Sequence, residues 1–250
     1  MRNKITSRDN PIIKETAKLL KSREERRNAG MFLCEGAVML NEAVKGGAHI
    51  GRVFVREGTE LTVIPDGAEI YEVPSSVLEK ISDVKTPQGI VFTCSMAKGG
   101  SLKGRRIIAL ENVADPGNIG TVVRTAEAFG IDTVAFVGSC ADLYSPKTVR
   151  STMGSVFRVN VCFLTLDQLM EEAKGLGLPV YAAALSDKAV EIGSVMPGDA
   201  VVMIGNEANG LSQDALDKCG KHVIIPINGI QSLNAAVAAS VFMYEMSKDR

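Results

Sequence analysis

Tryptophan is absent from this 250-residue chain, histidine occurs twice, and aromatic residues make up only 5%. No apolar run reaches the roughly 18 to 20 residues that span a bilayer, so no membrane-crossing helix is expected. The first twenty residues, MRNKITSRDNPIIKETAKLL, are too polar for a signal-peptide core, which points to the cytoplasm. The five cysteines, Cys34, Cys94, Cys140, Cys162 and Cys219, are odd in number and form no C-x-x-C pair. That excludes a disulfide framework and a zinc site, and leaves buried, reduced thiols as the expectation. With only His49 and His222, the chain offers no histidine cluster for a metal, and general bases are scarce. What is present is an ordinary globular composition, 46% apolar and 23% charged, which excludes disorder, collagen and coiled coil.

The formal net charge of -1 argues on average against a dedicated nucleic-acid binder. The average hides an asymmetry. Residues 1–30 hold nine bases, among them Arg8, Lys14 and Arg23, against four acids, and the acidic excess lies in the rest of the chain. Asn10-Pro11 starts a helix there, with an apolar stripe from Ile12 to Leu20. The segment reads equally as a helix lying on phosphate and as a solvated helix.

The next residues predict a small α/β module. Strands are expected at 31–35 and 50–55, one or two more between 61 and 73, and a last one at 89–94, with helices at 36–45 and from Pro74 onward. The stretch SMAKGGSLKG, centred on two adjacent glycines, has the composition of a linker. The expected layout is therefore a first domain over 1–95, a linker over 96–104 and a second domain over 105–250. In the second, the runs RIIALEN, DTVAFVG, FRVNV, PVYAAAL, AVVMIG and HVIIPI alternate with helices near 117–129, 146–153, 166–174, 212–219 and 231–246. Strands that are apolar throughout predict a parallel sheet covered on both faces, with ligands at the C-terminal strand ends.

Three strand-end loops are polar and rich in glycine: 111–120, 144–155, and 205–212 together with 225–234. Gly205 to Ser212 fits G-x-x-x-x-G-x-S, but Leu211 stands where a phosphate-binding loop needs lysine, which excludes an ATPase or GTPase. No G-x-G-x-x-G follows the first strand, so an NAD site is not expected. No G-x-S-x-G elbow is present either. The strand ends carry amides, hydroxyls, arginines and Glu207, a set suited to sugar, phosphate and backbone recognition. Taken singly, Asn118 and Ser232 read as helix caps, and Gly205 and Gly210 as turn formers.

Three runs in order, DPGNIGTVVRTAEAFG (115–130), SPKTVRSTMGSVFR (145–158), and IGNEANGLS with IPINGIQSLNAAVAAS (204–212 and 225–240), resemble the SpoU (TrmH) family of RNA ribose 2'-O-methyltransferases in the SPOUT superfamily. The first domain resembles that family's substrate-binding domain, a small α/β module similar to certain kink-turn-binding ribosomal proteins, through FLCEGAVMLNEAV and ISDVKTPQGIV. The resemblance implies an α/β C-terminal domain with a deep trefoil knot, which periodicity does not reveal. It implies S-adenosyl-L-methionine held by backbone groups at Gly205, Ile225 and Leu233, with Leu185 beside them, and no metal. It further implies that Arg124 handles the ribose hydroxyl, that Asn118, Glu207, Ser232 and Asn234 orient it, and that Arg150 binds RNA phosphate with the basic residues Arg8, Lys14 and Arg23.

A homodimer through the C-terminal domain is implied as well, with Ala235, Ala236, Ala238 and Ala239 small enough for close packing within or between chains. Ribosomal RNA is favoured over transfer RNA because the N-terminal extension resembles those of rRNA-directed members. The alternatives are a non-catalytic RNA-binding or ribosome-assembly protein, a tRNA-directed enzyme, and an antibiotic-resistance methyltransferase.

Overall fold

The computed structural model describes residues 3–97, 99–186, 189–195, 198–229 and 232–248. Along the chain these form β1 (Asn3–Lys4), α1 (Pro11–Lys21), α2 (Arg23–Ala29), β2 (Met31–Glu35), α3 (Ala37–Lys45), β3 (Ile50–Arg56), β4 (Glu69–Val73), α4 (Ser75–Lys80) and β5 (Ile90–Ser95). Then follow β6 (Arg106–Glu111), α5 (Pro116–Phe129), β7 (Thr133–Val137), α6 (Pro146–Thr152), β8 (Asn160–Leu164), α7 (Leu166–Gly175), β9 (Val180–Ala183), β10 (Val190–Glu191), α8 (Ile192–Val195), β11 (Ala200–Ile204), α9 (Gln213–Lys218), β12 (Lys221–Ile224) and α10 (Ala235–Met246). The chain divides into two compact units, Met1–Lys98 with Asp142–Arg158, and Gly99–Ala141 with Val159–Arg250.

The first unit is a five-stranded sheet in the order β1-β4-β3-β5-β2, parallel at β1/β4 and β3/β4 and antiparallel at β3/β5 and β2/β5. The Asn10 side chain caps α1 by accepting the Ile12 N–H at 2.9 Å, and Pro11 occupies the first turn. Ser22, extended, ends α1 and caps α2 through the Glu25 N–H, and Gly30 at φ +64 ends α2. The basic N-terminus therefore holds two helices, and Ser22-Arg23-Glu24-Glu25 carried the S-x-x-E signal for the second.

Residues 142–158, placed by the sequence reading in the second domain, complete the core of this first unit. The Phe32 ring packs 4.8 Å from that of Tyr144 and 6.3 Å from that of Phe157. Arg26, 4% exposed, bonds the Asp142 carboxylate and the Leu19 carbonyl. Phe157 lies in a short 3-10 turn rather than in a strand, so the expected strand FRVNV begins three residues later, at Asn160.

The second unit is a seven-stranded, wholly parallel sheet in the order β10-β12-β9-β11-β6-β7-β8. Ile107 and Ala109 of β6 pack with Leu169 and Ala173 of α7 and Ala215 of α9. The alternating residues Ile108 and Leu110 are fully buried too, so both faces are covered. From β6 the chain runs outward through β7 and β8, whereas β9, β12 and β10 lie beyond β11. The boundary between β6 and β11 is the topological switch point, where the loops leaving the strand ends diverge and open a crevice. Among the described residues no helix is long and apolar enough to cross a membrane.

Candidate active site

Both loops at the switch point are tightly built. After β11, Asn206 and Gly210 exchange backbone hydrogen bonds of 2.9 Å, and the Asn206 Oδ1 accepts the N–H groups of Ala208 and Asn209. Gly205 has to be glycine because a Cβ there would overlap the backbone of Gly210 and Leu211. After β6, Asn112 adopts φ +54, a left-handed conformation that asparagine tolerates. Asp115 caps α5 through the Asn118 N–H at 2.9 Å, with Pro116 behind it.

Asn118 is thus not the helix cap. It stands one turn in, nearly buried, and its amide is the middle member of a polar chain. Asn118 Nδ2 donates to Glu207 Oε1 at 2.7 Å, and Asn234 Nδ2 donates to Asn118 Oδ1 at 3.0 Å. The Asn234 Oδ1 in turn accepts the Ala236 and Val237 N–H groups. Asn234, not Ser232, is therefore the cap of α10. That helix begins at Ala235 rather than at the expected 231; Gln231, like Ile230, lies outside the described residues.

Glu207 also accepts the N–H groups of Ala114 (3.2 Å) and Asp115 (3.3 Å) and the Asn206 amide (3.4 Å). Partial burial works to raise its pKa, but the bonds from Asn118 and from the backbone of Glu207, Ala114 and Asp115 prevail, and the carboxyl lies below its usual value. Glu207 is held as a carboxylate.

Beside this chain a cavity of about 460 Å³ opens at the C-terminal ends of β9, β11 and β12. Leu185, Gly205, Ile225 and Leu233 all line it, as do Ser232 and Glu207. Its volume suits a ligand of nucleoside size. The remaining wall is mostly aliphatic, with Ala183, Val223, Ala238 and Phe242. Leu185 is 70% exposed, at the rim. Ser232 is exposed. Among the described residues no group of three His, Cys, Asp or Glu could hold a metal ion.

Arg124 is not drawn into the cluster. Six residues beyond Asn118 on α5, it lies about 9 Å along the axis and about 120° round the helix. It shares the exposed face with Thr121 and Ala128, and no described side chain pairs with it. Ala235, Ala236 and Ala239 are buried within the unit, so the small residues of α10 serve intrachain packing, while Val237 and Tyr244 stay exposed.

The expected RNA-binding residues belong to the first unit. Arg150 donates to Asp83 at 2.9 Å and Lys14 pairs with Asp9 at 3.1 Å. Arg8 is exposed, and its carbonyl accepts the Lys80 ammonium. Arg23 is half-buried. Many bases of residues 3–30 have carboxylate partners, Lys4 with Glu57 and Lys18 with Glu25 among them, so the basic segment is less bare than its composition implies. Sequence reasoning assigned no role to Glu111, Asn112, Asp115 or Asn206; the Asp-Pro pair at 115–116 was the available signal for the cap of α5.

Comparison with known proteins agrees with this architecture. The pattern of the SpoU rRNA methylase family matches residues 105–244, and that of the MRM3-like substrate-binding domain matches residues 10–91. The chain is 31% identical over 244 residues to the 23S rRNA (guanosine(2553)-2'-O)-methyltransferase RlmP of Bacillus subtilis, covering 97% of this chain and 98% of that protein. It superposes on the AdoMet-bound rRNA methyltransferase of Sinorhizobium meliloti with a TM-score of 0.87 at 27% identity, covering 99% and 98% of the two chains. The SpoU methyltransferase AviRb of Streptomyces viridochromogenes, in complex with AdoMet, superposes with a TM-score of 0.84 at 25% identity over 96% and 98%. With more than half of its length matched by the family pattern and a relative similar from end to end, the chain belongs to the SpoU rRNA methylase family.

Proposed function

We propose that this protein transfers a methyl group from S-adenosyl-L-methionine to a ribose 2'-hydroxyl of ribosomal RNA. The observation that carries this reading is one juxtaposition: the cavity bounded by Leu185, Gly205, Ile225 and Leu233 adjoins the Glu207–Asn118–Asn234 chain at the switch point. The cavity fits the cofactor, because the tight approach of Gly205 to residues 210–211 makes a backbone cradle and the aliphatic wall excludes water. When bound, S-adenosyl-L-methionine supplies an electrophilic methyl group, for which no metal is needed.

The chain's own residues align the acceptor. Glu207, ionised and saturated with hydrogen bonds, is too weak a base for a ribose hydroxyl; it fixes the Asn118 amide and the loop ends. A guanidinium, always charged at neutral pH, does not accept the proton either. Arg124, exposed and paired with no described side chain, holds a neighbouring phosphate and stabilises the developing alkoxide, while the proton leaves to phosphate or water. Ser232, at the cavity wall, faces the same space. In the first unit Arg150, Arg8, Lys14 and Arg23 meet RNA phosphate, Arg150 and Lys14 exchanging their carboxylate partners for it.

The same reading includes a substrate-binding part over 1–95, a linker over 96–104 and a methyltransferase part over 105–250. It includes a trefoil knot, supported by the last strand, β12, being inserted between β10 and β9 instead of lying at an edge. It includes a homodimer through the exposed Val237 and Tyr244 of α10, and a cytoplasmic location alongside ribosomal RNA. Calorimetry with S-adenosyl-L-methionine, followed by methyl transfer to ribosomal RNA, tests the reading. An Arg124→Ala protein that binds both ligands and methylates at the normal rate would contradict the role of Arg124.

A further inference from the structure

The Glu111 side chain, at the end of β6, is 4% exposed and no cation among the described residues pairs with it. Burying a carboxylate without a counter-charge is costly unless its oxygens are hydrogen-bonded. Here both go to one residue: Oε2 accepts the Ser212 N–H at 2.8 Å and Oε1 accepts the Ser212 hydroxyl at 2.7 Å. Ser212 closes the loop that begins at Gly205 and carries Glu207. The other end of that loop is tied one residue past the end of β6, where the Asn112 carbonyl accepts the Asn206 amide at 2.9 Å. Asn112 Oδ1 also accepts the Ser139 N–H at 2.7 Å, so its left-handed backbone is held from both sides.

We infer that Glu111 is a positioning residue for the methyl-transfer site, holding the Gly205–Ser212 loop in register with the strand end that supplies Ala114, Asp115 and Asn118 to Glu207. The two halves of the site come from strands β6 and β11. Their backbone pairing ends at Leu110 and Ile204, and beyond that point the Glu111–Ser212 and Asn112–Asn206 bonds replace it. The inference rests on the function proposed above. A glutamine at position 111 keeps one acceptor for the Ser212 N–H, but its amide nitrogen has to donate to Ser212 Oγ, which already accepts the Ala215 N–H at 3.2 Å, so the charge-assisted tie is weakened without a change of volume.

The test uses the full chain with Glu111→Gln, Ser212→Ala and the double variant, and reads three quantities: S-adenosyl-L-methionine affinity by calorimetry, kcat and KM on ribosomal RNA, and the thermal midpoint. Glu111→Gln is expected to weaken cofactor binding about tenfold and to lower kcat by a similar factor, with KM for RNA within about twofold. Ser212→Ala, which keeps the backbone N–H, is expected to lose about threefold in each, and the double variant to be no worse than Glu111→Gln alone.

A purely structural role would lower the midpoint and leave affinity and kcat untouched. Wild-type affinity and kcat in Glu111→Gln would overturn the inference. Should that variant fail to fold, the same result in Ser212→Ala would do so. A wild-type protein that bound no S-adenosyl-L-methionine would instead overturn the proposed function.

Discussion

Glu207 collects the hydrogen bonds that join three separate stretches of chain, and its behaviour with pH follows from them. Its folded pKa is depressed, so the stability it contributes is fully present above the unfolded value of about 4.3 and is lost as pH falls through the lower folded value. Acid unfolding of Glu207→Gln should therefore show a weaker loss below about pH 5 than wild type, with no difference in slope between pH 6 and 8. A difference at neutral pH would mean that the carboxyl is not ionised as described. Asn118→Ala cuts both links of the chain, leaving the Asn234 Nδ2 without its acceptor and Glu207 Oε1 with only the longer bond from the Asp115 N–H. The expected cost is about 1 to 3 kcal/mol in transition-state stabilisation, read as kcat/KM.

Burial explains the thiols too. It pushes Cys162 up to about 12, with Glu172 nearby adding to the shift, and Cys219 up to about 12, with Glu111 nearby. All five cysteines are free, and four are buried. A thiol reagent at pH 8 should label the native protein only slowly and all five cysteines after denaturation. Fast native labelling would contradict the packing around Cys219, the half-buried member.

At the scale of elements, the sequence was most legible where apolar pattern and end signals agree. Strands β2, β3, β5, β6, β7 and β11 were readable from runs of branched residues, and α1 from cap and stripe. The reading failed where the deciding partner is distant in sequence. Ser232 and Asn234 are both good caps by type, and only the fold shows that Asn234 turns its carbonyl oxygen to α10 and its amide nitrogen to Asn118. Phe157 has the apolar character of a strand residue, yet its ring is taken by Phe32 in the sheet of the first unit, to which both belong, so the chain turns there. The tie between Glu111 and Ser212 had no local signal at all.

Gly205→Ala tests the loop after β11 as an element. Because the added methyl meets main chain rather than a flexible side chain, the loop has to shift, and the expected outcome is a loss of cofactor affinity by tenfold or more with a lowered thermal midpoint. Gly210, whose surroundings are open but whose φ is +67, should instead cost about 1 kcal/mol in stability when changed to alanine.

For the whole molecule, the near-neutral net charge is an average over parts with different work. The division into an N-terminal module and a parallel-sheet domain was visible in composition and pattern. The membership of residues 142–158 was not, because it depends on Arg26, Phe32 and Ala97 finding Asp142, Tyr144 and Phe157 across more than forty residues of chain. A fragment of residues 1–98 would leave the Arg26 guanidinium buried without Asp142 and one face of Phe32 bare, so it should lack a cooperative thermal transition. A sharp transition in that fragment would show that the segment is dispensable.

RNA binding should weaken steeply with salt despite the neutral average, and Arg124→Ala should reduce the slope of log affinity against log salt by about one, the signature of a lost phosphate contact. The claim on which the rest depends is methyl transfer to ribose, and it is tested most directly by mapping 2'-O-methylation across total RNA from cells with and without the protein. The account predicts one ribose methylation in ribosomal RNA that disappears without the protein and is restored by wild type but not by Arg124→Ala. Ribosomal and transfer RNA methylation unchanged by its loss would contradict it.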